Sequence, residues 1–107
     1  MDDIEHGLEL SGKLISELNL MSTDDIASLM HERGIKANRV RSTSCAIAEY
    51  LNQEVSQFGI RIDIVSKIYA YIPNRIRIMQ WGNSFDLEDF ITRFDNGEYP
   101  DLIAEKG

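Results

Sequence analysis

Between Gly59 and Trp81 the chain alternates apolar and polar residues: I-R-I-D-I-V, then I-Y-A-Y-I, then Pro73-Asn74, then R-I-R-I-M-Q-W. A period of two belongs to strands with one buried face. The pattern predicts three short strands that send Ile60, Ile62, Ile64, Ile68, Ala70, Ile72, Ile76 and Ile78 inward. Arg61, Asp63, Tyr69, Tyr71, Arg75, Arg77, Met79 and Trp81 then look the other way. The gaps at 65–67 and 73–74 are too short for parallel crossovers, so the strands form an antiparallel meander. Pro73-Asn74 is the expected hairpin turn.

The flanking segments have helical spacing. Leu10, Leu14 and Leu18, with Ile15 beside them, predict a helix over about 9–20, and residues 1–7 are expected to fray. Ser22 and Asp25 have capping-box spacing ahead of a second helix with the stripe Ile26, Leu29 and Met30. Gly34 is placed to end that helix in a left-handed turn. A basic loop over 35–43 precedes a third helix, capped by Ser42, Thr43 or Ser44 and running to about Gln57, with Ile47, Leu51 and Val55 inward. Ser84 or Asp86 caps a last helix over 87–95, whose apolar side comprises Phe85, Leu87, Phe90, Ile91 and Phe94. Asn96-Gly97 stops it, and Tyr99-Pro100-x-Leu102-Ile103 folds back onto the body. The expectation is an α+β fold in the order αααβββα: a three-stranded antiparallel β-meander with helices packed on one face. Residues 1–107 form a single domain.

Length and composition agree with this picture. At 107 residues and 43% hydrophobic, the chain can bury a core without metals or disulfides, and its one cysteine cannot form an internal bridge. The opening Met1-Asp2-Asp3-Ile4-Glu5 lacks the basic-then-apolar signature of a signal peptide, and no apolar run has membrane-spanning length. A cytoplasmic location is expected.

Charge changes the picture more. Residues 1–32 carry a net −7, residues 33–81 a net +5 and residues 82–107 a net −5. The acidity of the whole disfavours nonspecific nucleic-acid binding, but the basic centre coincides with the strands. Tyr69, Tyr71, Arg75 and Arg77 would cluster on one sheet face, extended by Arg61 and Trp81. Arginine and aromatic residues are enriched at protein–protein hot spots and also stack on bases. The competing readings are a solvated face of cross-strand pairs, or a face covered by the acidic N-terminal helix.

Other constellations carry less. The two helices of residues 23–57 are separated by more residues than a DNA-binding helix-turn-helix allows, and the second bears Glu49 and Glu54 without Lys or Arg. Cys45 falls in a first helical turn, but neither His6 nor His31 has a spacing that pairs with it. Asp24/Asp25 and Glu88/Asp89 fall where helix dipoles favour acids. No metal-ligand spacing and no Gly-rich phosphate loop occur, so no cofactor, no metal and no catalytic residues are expected.

The stretch Cys45-x-Ile47-Ala48-x-Tyr50-Leu51 after Gly34-Ile35, and the tail Phe94-Asp95-x-Gly97-x-Tyr99-Pro100-x-Leu102, resemble small uncharacterised proteins of actinobacteria and their phages. Those proteins often have Pro directly after the Cys, where this chain has Ala46. The resemblance implies a small bacterial or phage accessory protein and carries no activity or site with it.

The functional expectation is a non-catalytic protein–protein interaction module, of inhibitor type by analogy. It would bind a protein partner through Arg61, Tyr69, Tyr71, Arg75, Arg77 and Trp81. The alternative is single-stranded nucleic-acid binding through the same face, with Arg39 and Arg41 of the basic loop holding phosphates. An isologous homodimer through an edge strand or the aromatic face would also account for an exposed Trp81.

Overall fold

In the computed structural model, which describes residues 3–37, 46–64, 67–71 and 77–103, with backbone alone at 77 and 78, the order of long elements is that expected from the sequence. Helices α1 (Asp3–Asn19), α2 (Thr23–Glu32) and α3 (Ala46–Val55) precede strands β1 (Arg61–Ile64), β2 (Ile68–Tyr71) and β3 (Arg77–Trp81). Helix α4 (Phe85–Asp95) follows, and short 3-10 turns lie at Ser56–Phe58 and Pro100–Leu102. The strands form one antiparallel sheet in the order β1-β2-β3. The fold is α+β with an antiparallel meander.

Local chemistry sets the element ends. Ser22 and Ser84 are extended N-caps whose hydroxyls accept from the backbone N–H of Asp25 and Leu87 at 3.1 Å each. Gly34 and Gly59 take the left-handed conformation, at φ 66° and 81°, which lets the chain turn off α2 and into β1. The capping residues of α3, the Pro73-Asn74 turn, and Ile72 and Ile76 lie outside the described residues.

Helix α1 starts at Asp3, well before the expected position, because its first turns have something to pack on. Gly7 is buried where α1 crosses the entry to β1: a Cβ built there would lie 2.6 Å from Ile60 Cδ1 and 2.8 Å from Phe58 Cβ. His6 lies against the Phe58 ring at 4.7 Å. The buried stripe of α1 is accordingly Gly7, Ser11, Ile15 and Leu18, with Leu10 and Leu14 half-buried at its margin. Ser11 is tolerated inside because its hydroxyl donates to the Gly7 carbonyl at 2.7 Å.

The sheet's inner face is Ile60, Ile62, Ile64, Ile68 and Ala70, all buried against Ile47, Leu51 and Val55 of α3 and Ile15 and Leu18 of α1 in one core. Phe90 and Phe94 of α4 close that core, and Tyr99 stacks on Phe90 with centroids 5.0 Å apart. Leu102 is buried, and its carbonyl accepts from Ala37 N–H at 2.8 Å, so the tail latches onto the body as the sequence suggests. The outer edge of β1 is closed by a side chain. Asn52 donates from Nδ2 to the Ile62 carbonyl at 3.0 Å, and its Oδ1 accepts from Ile62 N–H at 2.8 Å. One amide thus stands in for a neighbouring strand at that residue and blunts the edge.

The two α1 glycines separate packing from propensity. At Gly12 an added Cβ meets only Trp81 Nε1 at 3.7 Å, an ordinary contact. Gly12→Ala should therefore stabilise by roughly 0.5–1 kcal/mol through helix propensity. Gly7→Ala should destabilise by about 1–2 kcal/mol, since overpacking against Phe58 and Ile60 outweighs the same propensity gain. Urea unfolding of both variants checks the opposite signs.

Candidate functional site

The pairing register decides what the second sheet face holds. Arg61 lies opposite Tyr71, and Asp63 opposite Tyr69. Directly paired residues share a face, and the strand burial patterns agree: Arg61 is exposed, Asp63, Tyr69 and Tyr71 are half-buried, and their neighbours are buried. The expected Tyr/Arg face therefore exists across β1 and β2. Helices α1 and α3 pack on the isoleucine side, so the acidic N-terminal helix does not cover this face.

Across β2 and β3 the expectation fails in part. Tyr71 pairs with Arg77, but Ala70 pairs with Met79, Tyr69 with Gln80 and Ile68 with Trp81. One step along β2 matches two along β3, so the register shifts between Ala70 and Tyr71. Such a bulge inserts Ile78 without a residue opposite and reverses the faces beyond it. Met79 and Trp81 consequently belong to the side of Ala70 and Ile68. Trp81 packs half-buried against the core, with its indole nitrogen over Gly12 of α1, and is no part of the Tyr/Arg face.

A large aromatic gains from this arrangement by burying against α1 rather than standing in water. The clue lay in Ile78-Met79, two adjacent apolar residues that shift the alternation by one place. Gln80, opposite Tyr69 and exposed, takes the outward place expected for Met79 and Trp81. Arg77 keeps its expected register position, whereas Arg75, Arg39 and Arg41 lie outside the described residues. So does Cys45.

The face that results is polar and mildly desolvated. Burial pushes the Asp63 carboxyl above its ordinary range, and the Arg61 guanidinium works against that shift. Arg61 also borders a cleft of about 250 Å³ with Glu49, Asn52 and Ser56, which places it where the face meets α3. Among the described residues, no group of three or more His, Cys, Asp or Glu is arranged to hold a metal ion. No helix among them is long and apolar enough to cross a membrane.

No protein-family model, curated protein or solved structure matches the chain.

A second concavity, of about 440 Å³, lies away from the sheet between α2 and the tail, with Ala27, His31, Glu32, Tyr99 and Leu102 among its walls. The hydroxyl of Tyr99 is buried without a hydrogen-bond partner among the described residues, and burial is the main cause raising its pKa above the ordinary tyrosine value. A buried, unpaired phenol is a packing cost, and its carbon ring explains its presence through the stack on Phe90.

The Asp63 shift has a sign that can be checked. A carboxyl whose folded pKa is raised favours folding when protonated, so its contribution weakens as pH rises through the folded pKa. Asp63→Asn should raise the melting temperature at neutral pH, and the gain should vanish in acid, where Asp63 is itself neutral. Thermal melts at about pH 7 and about pH 3 test this. A lower melting temperature at neutral pH would mean that attraction to Arg61 outweighs desolvation.

Proposed function

We propose that the protein is a non-catalytic interaction module that binds a protein partner through the outer face of its sheet. The observation that carries the reading is a row of Arg61, Tyr69 and Tyr71 on a face that α1 and α3 leave open. Strand-borne side chains are held by the pairing beneath them, so little ordering remains to be done on binding. Tyrosine offers contact area at low entropic cost, and arginine adds directed donors, a combination suited to a polar or acidic partner surface. Arg77, opposite Tyr71 in the register, extends the row by position.

Single-stranded nucleic acid is the second reading, favoured by the same adjacency of arginine and aromatic rings. It is the weaker of the two, because Trp81 faces the helices and leaves two stacking rings where three were expected. The resemblance carried by Cys45–Leu51 and Phe94–Leu102 points to an actinobacterial or phage accessory protein, which makes an actinobacterial lysate the first to search.

The double variant Arg61→Ala/Tyr71→Ala should keep the native circular dichroism spectrum and lose partner capture from that lysate by roughly thirtyfold or more, as for a hot-spot pair. Undiminished capture rejects this face. Anisotropy of labelled oligonucleotides at low salt separates the second reading: tight, salt-sensitive binding favours nucleic acid over protein.

A further inference from the structure

Two large apolar side chains stand in solvent at the opposite end of the structure from the Arg61 entry to the sheet. Leu20 is 88% exposed and Phe85 82% exposed. Phe85 was expected on the buried side of α4, but it is the first residue of that helix, and nine residues at about 100° each put it on the opposite side from Phe94. Leu87, Phe90 and Phe94 are buried; Phe85 points away from them.

The pair is held in place from three helix ends. Asn19, the last residue of α1 and the neighbour of Leu20, donates to the Gly82 carbonyl at 3.1 Å and accepts from Ser84 N–H at 2.7 Å, beside Phe85. Thr23, at the start of α2, donates to the Asp86 carbonyl at 3.2 Å and lies 3.0 Å from Asp89 Oδ2. The end of α1 and the starts of α2 and α4 are thereby tied together, with Leu20 and Phe85 on adjoining backbone.

The surroundings have one sign of charge. No Lys or Arg occurs from Leu14 to Glu32 or from Ile78 to Thr92. Glu17, Asp24, Asp25 and Glu88 are exposed at these helix ends, and Asp86 is half-buried among them. An exposed apolar pair framed by carboxylates repels nucleic acid and anionic lipid alike, and it complements a surface that is apolar in the middle and basic at its borders. A basic amphipathic helix presents that combination on one face.

We propose that the Leu20–Phe85 end is a docking site for a basic amphipathic helix of a protein partner, with the two apolar side chains as anchors and the carboxylates of Glu17, Asp24, Asp25 and Glu88 pairing its Lys or Arg residues. The site is separate from the sheet face and does not rest on the reading of that face. Because hydrogen bonds already fix the three helix ends, binding here orders little of this protein.

The probe is a synthetic amphipathic helix of leucine and lysine, titrated into the intact protein by calorimetry. A scrambled peptide of the same composition and a leucine/glutamate helix serve as controls. The leucine/lysine helix should bind, the leucine/glutamate helix should not, and the scrambled peptide should bind at least tenfold more weakly. Leu20→Ser/Phe85→Ser changes only solvent-facing side chains, keeps the fold by circular dichroism, and should weaken binding at least tenfold. Arg61→Ala/Tyr71→Ala should bind the probe as the native protein does, which separates failure of this site from failure of the sheet face. No binding, or equal affinity for the native and double-serine proteins, overturns the proposal. Binding of the native protein to zwitterionic vesicles that the double-serine variant lacks overturns it in favour of a lipid surface. Concentration-dependent self-association abolished by the same variant overturns it in favour of a second copy.

Discussion

A shift of one residue in the pairing of β2 with β3 governs what each side of this molecule presents. Before the shift, Arg77 registers with Tyr71; after it, Met79 and Trp81 register with Ala70 and Ile68. Strict alternation would have sent arginine and tryptophan to the same side, since the side-chain period of a strand is two. The extra residue lets the tryptophan turn to the helix side. The indole packs toward α1 near Gly12, and the outer face retains the tyrosines and arginine of β1 and β2. Met79 keeps 44% of its surface exposed despite registering with buried Ala70.

The helices depend on the same sheet. Helix α1 comes close enough at Gly7 that no side chain fits between it and Phe58 or Ile60, and it continues across to the end of β3. Helix α3 is joined to β1 through the core and through the Asn52 amide on Ile62. Both helices are therefore spent on the isoleucine side, and neither lies over the outer face. Surface ion pairs add little to this. Arg33–Glu54 at 2.8 Å and Arg93–Asp89 at 3.0 Å are substantially exposed, where such pairs contribute on the order of 0–1 kcal/mol. The charge is instead unevenly placed along the chain, with a net +5 over residues 33–81 and net −7 and −5 on either side.

Much of the fold was legible because its signals are local. The alternation from Ile60 to Ala70, the Ser22 and Ser84 caps and Gly34 each specify conformation within a few residues, and each holds. The early start of α1 was not legible, because it depends on Phe58 and Ile60, some fifty residues away. The two misplaced aromatics have different causes. Trp81 followed an alternation that Ile78-Met79 interrupts, a signal present in the sequence but outweighed by the longer regular run before it. Phe85 was grouped with Phe90 and Phe94 by composition, although its helical angle sets it apart. Period alone puts Arg61, Tyr69 and Tyr71 on one sheet face, as the pairing shows, whereas the side of Trp81 needs the register, which only tertiary packing fixes.

Proton–proton nuclear Overhauser contacts of the indole ring report directly which side of the sheet Trp81 occupies, and with it the register on which both faces depend. The structure predicts contacts from the indole N–H to the Gly12 α-protons, together with ring contacts to the side chain of Ile68. Contacts from the indole to the rings of Tyr69 or Tyr71, with none to Gly12, would contradict the register shift and return the tryptophan to the outer face.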